Sequence, residues 1–504
     1  MTSSSNALGN LAKSSVIILI GTIVGRLLAL CSEIFIARTL NPELFGEIAL
    51  TYTIVLSIGS ILVIGSDEGI TRMLSSNNVS SGNTIISGYV IALAGATIGS
   101  VTIYFARFLI ADILSAPSFS DLIPYFLPFL LLYPLSRISF GILRAEGKSL
   151  HAVVSRELIP RIGCFIILTL FLYFNRPEEG AAIYWAFLPL FVLISSFYYV
   201  DWPTRSSLNF DKKSLHELFA FSWPLAVSST VFLLLSNSDM IMIAYFLDSQ
   251  DVGLYRAVQP LRQVTTFVMS SFTFLFLPLA TRYFEENDII SLHQFYQTST
   301  KWIVTLTFPP VLLFTFFSGD TVRVFFGSAY SAAAPTLAVL TGGLFIRSLV
   351  GLDGDVVKAI NRPQIELYAS VVGVVSNILL NIWLIPQFGI VGAAFGTVIG
   401  YGIYNLIEII IIYRMTSIHP FSSHLLKPLL ANILITAIIS KVIGHITNFT
   451  GLISLGIVIS IFQLICLVGT SSLEKDDLDL YYQIENRFGI EIPLIRAILK
   501  SGVQ

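Results

Sequence analysis

Charge is scarce in this chain, and that scarcity decides what kind of protein it can be. Asp, Glu, Lys and Arg make up 12% of its 504 residues, where a soluble protein carries about 25%. Hydrophobic residues reach 55%, and the mean hydropathy is +0.80. No globular core could hide so much apolar surface, so lipid must cover much of it. Cysteine is also sparse. Cys31, Cys164 and Cys466 fall in apolar runs without metal-ligand spacing, which argues against a disulfide framework or a metal centre. The Gly-x-x-x-x-Gly-Lys-Ser/Thr loop that would cradle a nucleotide is missing, so ATP hydrolysis by this chain is not expected. A net charge of -2 offers nothing to nucleic acid. No long polar stretch separates the apolar runs, so no soluble domain is expected. No cleavable signal peptide is expected either, because residues 1–14 are polar and the first apolar run is long enough to span a bilayer.

The apolar runs themselves are abundant. Residues 367–407 hold no charged side chain over 41 positions, and Pro386-Gln387-Phe388-Gly389 lies inside them. One span takes about 20 apolar residues, so this run predicts two antiparallel helices with a turn between. The same reading along the chain predicts an all-α integral membrane protein of about fourteen transmembrane helices. They fall at 15–37, 47–66, 84–106, 122–142, 155–174, 180–200, 217–238, 254–281, 300–318, 333–352, 366–386, 390–413, 427–446 and 451–471. Residues 474–504 mix acids with Ile, Leu, Phe and Tyr and read as an interfacial or cytoplasmic tail.

Lys and Arg in the loops give an orientation. With both termini cytoplasmic, the inner loops and ends carry 18 of the 29 basic residues, the outer loops five, and the helices six. A multi-pass protein of the cell membrane is expected.

The chain also repeats itself. Ile36-Ala37-x-x-Leu40 then Gly46 matches Ile243-Ala244-x-x-Leu247 then Gly253, and Gly180-Ala181-Ala182 matches Gly392-Ala393-Ala394. Arg144-Ala145-Glu146-Gly147-Lys148 resembles Lys358-Ala359-Ile360-Asn361-Arg362 at nearly the same offset. Two parallel six-helix lobes follow, 1–215 and 216–415, with two extra transmembrane helices in 416–473 and the tail at 474–504. Parallel repeats of this kind leave a cavity between lobes that rocking exposes to each side in turn.

Three stretches carry a family resemblance. They are Ala37-Arg38-Thr39-Leu40-Asn41-Pro42-Glu43-Leu44-Phe45-Gly46 with Gly65-Ser66-Asp67-Glu68-Gly69 downstream, Leu143-Arg144-Ala145-Glu146-Gly147-Lys148, and Phe388-Gly389-Ile390-Val391-Gly392-Ala393-Ala394. Over roughly residues 10–415 the chain resembles the prokaryotic polysaccharide transporters of the multidrug/oligosaccharidyl-lipid/polysaccharide exporter superfamily. The resemblance implies a flippase for lipid-linked oligosaccharide, with membrane lipid and glycan-assembly proteins as partners. A monomer without a cofactor is expected.

The charges kept at depth are the candidate site. Each costs about 2.5–3.5 kcal/mol at mid-bilayer, so each needs a reason to be there. Arg26, Arg137, Arg256, Arg262 and Arg347 are candidate cargo contacts, with Gln259 and Gln263 extending the stripe from Arg256 toward sugar. Glu33 and Asp239 are candidates for gating or ion coupling. Arginine suits phosphate because its planar fork donates paired hydrogen bonds and stays charged. The competing reading is private ion pairs, Arg26 with Glu33 and Arg161 with Glu157. Two other functions stay open. A cation-coupled drug or small-molecule antiporter would use Glu33, Asp239 and Glu408. A membrane glycan polymerase would need a large outer loop bearing acid and base, and the outer loops are short.

Overall fold

The computed structural model describes residues 2–75, 81–114, 116–202, 210–422 and 424–478, with Tyr482, Glu485 and Arg496 beyond them. Most of the expected tail lies outside the described residues. All regular structure in the described residues is helical. Among the described residues, seven helices are long and apolar enough to cross a bilayer, or up to nine if each of two bent pairs crosses once. Every segment predicted to span carries helix. Fourteen is a larger number than the apolar helices alone provide, because several helices keep polar or charged residues and one long element holds two predicted spans.

The chain forms two compact units, Met1–Arg256 and Ala257–Gln504. The first contains α1 (Thr2–Thr39), α2 (Pro42–Leu62), α3 (Ser66–Leu74), α4 (Ser81–Ile113) and α5 (Ser118–Ala145). It continues through α6 (Ser149–Val153), a π turn at Val154–Leu158, α7 (Ile159–Tyr173), α8 (Pro177–Ala186), α9 (Leu188–Tyr199) and α10 (Lys212–Phe246). This unit extends past the expected lobe boundary at 215 because α10 packs against α2, α3 and α4. The boundary between units falls inside α11 (Ser249–Glu285).

Local chemistry explains where α2 begins. Asn41 holds an extended conformation and its side chain accepts from the Leu44 amide at 2.8 Å, while Pro42 occupies the first turn, where its missing N–H costs nothing. One turn on, Gly46 meets its repeat counterpart. A methyl group on Gly46 would strike the Ser249 carbonyl and stand 2.7 Å from the Gly253 nitrogen; one on Gly253 would strike the Pro42 carbonyl. The two glycines matched by sequence therefore touch, main chain against main chain. The matched Ile36 and Ala37, and Ile243 and Ala244, are all buried.

The second unit contains α12 (Ile289–Phe316), α13 (Ser318–Phe326), α14 (Ala334–Val350), α15 (Asp353–Ala359), α16 (Gln364–Thr416), α17 (Leu426–Val442) and α18 (Phe449–Gly469). The predicted hairpin is α16, broken at Gly389 with φ 59° and ψ -142°, a conformation open essentially to glycine alone. Contacts across the break run in reverse order. Gly392 faces Leu384, Gly396 faces Asn381, and Gly400 faces Asn377 and Gly373. Small residues at spacing four let the two halves approach closely, as membrane helices must when lipid removes the hydrophobic drive. The first half buries Ala369, Gly373 and Asn381, while Leu367, Tyr368, Val371, Val375, Leu379 and Trp383 are exposed. A helix with an apolar outside and a small or polar inside is built for lipid.

Two polar locks complete this unit. The Asn432 amide donates to Gln463 Oε1 at 2.8 Å, joining α17 to α18 in a buried setting. Lys301 in α12 is buried, and its Nζ donates to Asp477 Oδ2 at 2.6 Å, Glu474 Oε2 at 3.0 Å and the Ser472 carbonyl at 3.2 Å. Trp302 Nε1 donates to the second Asp477 oxygen at 2.9 Å.

Candidate functional site

The first unit encloses a hollow of about 230 Å³ whose lining includes Glu33, Tyr52, Tyr133, Arg137, Arg156, Arg161 and Trp185. The lining carries three arginines and one carboxylate. It draws on α1, α2, α5, α7, α8, α9 and the π turn.

The π turn explains two of the cations. Pro160 has no N–H to give the Arg156 carbonyl four residues back. The Arg161 guanidinium fills that role, donating to the Arg156 carbonyl at 3.2 Å and the Glu157 carbonyl at 2.9 Å. It also pairs with the Glu157 carboxylate at 3.0 Å. Arg161 is thus consumed in holding the turn. Arg156 is left largely unspent. Its side chain is 52% exposed, it reaches Glu157 only at 3.6 Å, and it lies 5.1 Å from the Phe140 ring centre. Such π turns recur at functional positions because they aim side chains that an α-helix would point elsewhere. On α1, Gly25 allows close packing here, since a methyl group on it would stand 2.6 Å from Glu157 Cβ.

Arg137 comes from α5 and pairs with Asp67 at the start of α3. The link between α2 and α3 is bent through Ile64 and Gly65, both at positive φ, which is unusual for a β-branched residue. Arg256 pairs with Glu33 at 2.6 Å, the two side chains being 17% and 15% exposed. Its guanidinium also lies 5.9 Å from the Trp185 ring centre, and Trp185 stacks on Tyr52 at 5.3 Å. Glu33 Oε2 and Arg256 Nε are buried and hydrogen-bond to nothing among the described residues. The pair therefore keeps one donor and one acceptor in reserve.

The structure brings Glu33 and Arg137 together in the lining of this hollow, and Arg256 joins them through its pair with Glu33 while lying outside the lining itself. Glu33 bonds to Arg256 and not to Arg26, which is exposed on α1 and outside the lining. Asp239 is buried and accepts from the Tyr255 hydroxyl at 2.9 Å. Gln259, Arg262 and Gln263 follow on α11 in the second unit, the first two half-buried and Gln263 exposed. Arg347 lies 5.2 Å from the Tyr401 ring centre in that unit. Sequence reasoning did not include Asp67, which pairs with Arg137, or Arg156, which lines the hollow, among the candidate site residues. The signal for Arg156 was Pro160 four residues later, which frees a carbonyl and perturbs the turn that carries the arginine.

Helices lipid-facing outside and polar within, around a cation-lined hollow, define a multi-pass membrane transporter fold. Residues 11–284 match the family model for polysaccharide biosynthesis proteins, and residues 224–383 match that of the MatE family. The first match covers more than half of the chain, which therefore belongs to the polysaccharide biosynthesis protein family. Among curated proteins it is similar to the probable low-salt glycan biosynthesis flippase Agl15 of Haloferax volcanii, 23% identical over 79% of this chain and 83% of that one. It is also similar to a putative O-antigen transporter of Shigella flexneri, 21% identical over 76% and 93%. Among solved structures, the inward closed conformation of the lipid II flippase MurJ aligns at TM-score 0.70, with 16% identity over 89% of this chain and 98% of that one. An inward-facing multidrug resistance MATE transporter aligns at 0.64, with 14% identity over 80% and 98%. At these identities the structural likeness speaks for the fold.

Proposed function

We propose that this protein is a flippase. It carries a lipid-linked oligosaccharide, through its phosphate or pyrophosphate, from the cytoplasmic to the outer leaflet of the cell membrane for surface polysaccharide or glycoprotein glycan assembly. The observation that carries this reading is the hollow of the first unit, where arginines outnumber carboxylates and Arg156 is left largely unspent. An anionic headgroup could take the spare donor of Arg256 and the fork of Arg156, while Tyr52 offers an aromatic edge to sugar and the lipid tail stays in the bilayer. The named functions of the relatives support the same class of cargo.

Transport proceeds by alternating access of two six-helix lobes, 1–215 and 216–415, with both termini cytoplasmic. The contact of Gly46 with Gly253 supports that pairing of repeats, because duplicated corners meet at matched positions. The protein works as a monomer beside glycan-assembly proteins and performs no bond chemistry. Each negative charge crossing outward gains about 2.3 kcal/mol per 100 mV when the cell interior is negative, so a doubly charged cargo needs no ATP.

The test is flipping of a fluorescent lipid-linked sugar in sealed vesicles at opposite imposed potentials. Inside-negative potential is expected to speed outward movement, and Arg156→Ala and Arg256→Ala are expected to slow it without loss of insertion. Equal rates at both potentials with unimpaired variants would remove the cationic-hollow reading. Loss of drug export with intact glycan export in Glu33→Gln would favour the antiporter instead.

A further inference from the structure

The second unit holds a group of buried polar atoms that the proposed cargo route does not use. Asp353 at the start of α15 and Glu408 in the second half of α16 are 4% and 0% exposed. Their carboxyl groups lie within hydrogen-bond reach of each other. Both Glu408 oxygens and Asp353 Oδ2 find no donor among the described residues; Asp353 Oδ1 accepts from the Gly354 amide at 3.0 Å. Thr300 on α12 is also fully buried with an unpartnered hydroxyl, and it packs on Gly351, two residues before Asp353. One helical turn earlier, the Tyr296 hydroxyl donates to the Val350 carbonyl at 2.8 Å. Arg347 from α14 is the cation near the pair.

Two carboxylates in contact, away from water, cannot both stay ionised, because each repels the other and each loses its hydration. A single proton resolves both problems. It gives one carboxyl a donor and the other an acceptor in a charge-assisted hydrogen bond, and Arg347 offsets the remaining negative charge. The Tyr404 hydroxyl and Glu366 stand between the pair and the surface. A methyl group on Gly354 would stand 3.5 Å from both Glu366 Oε1 and the Tyr404 hydroxyl. Tyr404 is one turn before Glu408, and its hydroxyl stands near that carboxyl without a formed hydrogen bond. Glu366 is partly exposed and pairs at 3.1 Å with Lys358, which also reaches Asp355 at 3.9 Å. Titratable or charged groups therefore face the pair as Arg347 from α14, Tyr296 from α12, and Tyr404 and Glu366 from α16, with Lys358 and Asp355 behind Glu366.

We propose that Asp353 and Glu408 form a proton-binding carboxyl pair that shares one proton, reached from the Glu366–Lys358 surface through the Tyr404 hydroxyl. In the orientation given by loop charge that surface is cytoplasmic. The proton arrives at Glu366, passes to the Tyr404 hydroxyl as that hydroxyl gives its own proton to Glu408, and no other group changes charge. The site stands without the flippase reading; only its use in transport rests on it. A protonated pair would let α14, α15 and α16 pack as a neutral unit, and release of the proton would oppose that packing.

Infrared spectroscopy of the purified full chain in lipid nanodiscs tests the site without any cargo, so its failure is distinct from failure of the flippase reading. The expected result at neutral pH is a carbonyl stretch from a protonated carboxyl that shifts in heavy water. Glu408→Gln and Asp353→Asn should each remove the signal of one such group. Glu366→Gln should keep the signal and slow its exchange with heavy water. The proposal is overturned if the wild-type chain shows no protonated carboxyl at neutral pH, or if both variants retain the full signal. It is equally overturned if sodium, against a choline control at fixed pH, abolishes the band, which would mean the pair holds a metal cation.

Discussion

The two units keep charge in opposite ways. In the first, cations dominate a hollow, and Arg137, Arg161 and Arg256 are each held by an acid while Arg156 is only loosely engaged. In the second, the deep groups are acids in contact with each other and a lysine enclosed by carboxylates. A paired charge with a spare donor can exchange partners when an anion arrives. The buried Lys301 ammonium, enclosed by its acceptors, cannot, and serves to fix packing. On the proposed readings, ligand exchange belongs to the first unit and proton binding to the second.

The largest effect expected from that contrast is in the second unit. Asp477→Ala removes the buried carboxylate of Lys301 and leaves the ammonium to Glu474 and the Ser472 carbonyl, which should cost about 3 kcal/mol, seen as a lower unfolding midpoint in detergent. Arg282→Ala, which breaks an exposed 2.8 Å pair with Glu286, is expected to leave that midpoint nearly unchanged, because water screens the pair. The first unit should respond in activity more than in stability. Arg256→Ala removes a charge-assisted donor worth about 1.5–3 kcal/mol, so flipping should slow by about ten- to a hundredfold while the midpoint moves less. A midpoint that falls as far as in Asp477→Ala would erase the distinction between the units.

A backbone test comes next. Gly389→Ala meets no neighbouring atom, so its cost is the strained main chain alone, about 1–3 kcal/mol. Loosening of the hairpin, read as faster amide hydrogen exchange on both sides of residue 389, should accompany it. The smallest effect concerns pH. Asp211 and Asp288 cap α10 and α12 from opposite units; the Lys213 amide, then the Ser214 hydroxyl and amide, hold Asp211 below the usual carboxylate range, and the Ser291 hydroxyl and amide do the same for Asp288. A depressed carboxyl contributes its stability above its unfolded value and loses it as pH falls through the folded one. Asp211→Asn and Asp288→Asn should therefore each slightly flatten the acid limb of the midpoint-against-pH curve, and to a similar degree.

The hairpin was legible because its signal is local. A charge-free run interrupted by Pro386-Gln387-Phe388-Gly389 has few other solutions in a membrane, and Gly389 is the residue that breaks the helix. The arginines were legible as costly residues, but their partners were not. Glu33 and Arg256 are 223 positions apart, and helical spacing pointed Glu33 toward Arg26 on its own helix. Asp67 read as a surface acid because it ends an apolar run, yet the turn through Ile64 and Gly65 carries it inward to Arg137. The contact of Asp353 with Glu408 depends on how α15 meets α16, which no periodicity in the sequence encodes.

The junction of Gly46 with Gly253 has a further consequence. Where main chain rests on main chain, no side chain is present to recognise anything, so under the proposed rocking of the lobes the joint would serve as a plain bearing, indifferent to what passes elsewhere. Adapting such a chain to a new passenger would leave that bearing alone and rewrite the hollow; a larger residue at either glycine should jam every passenger alike.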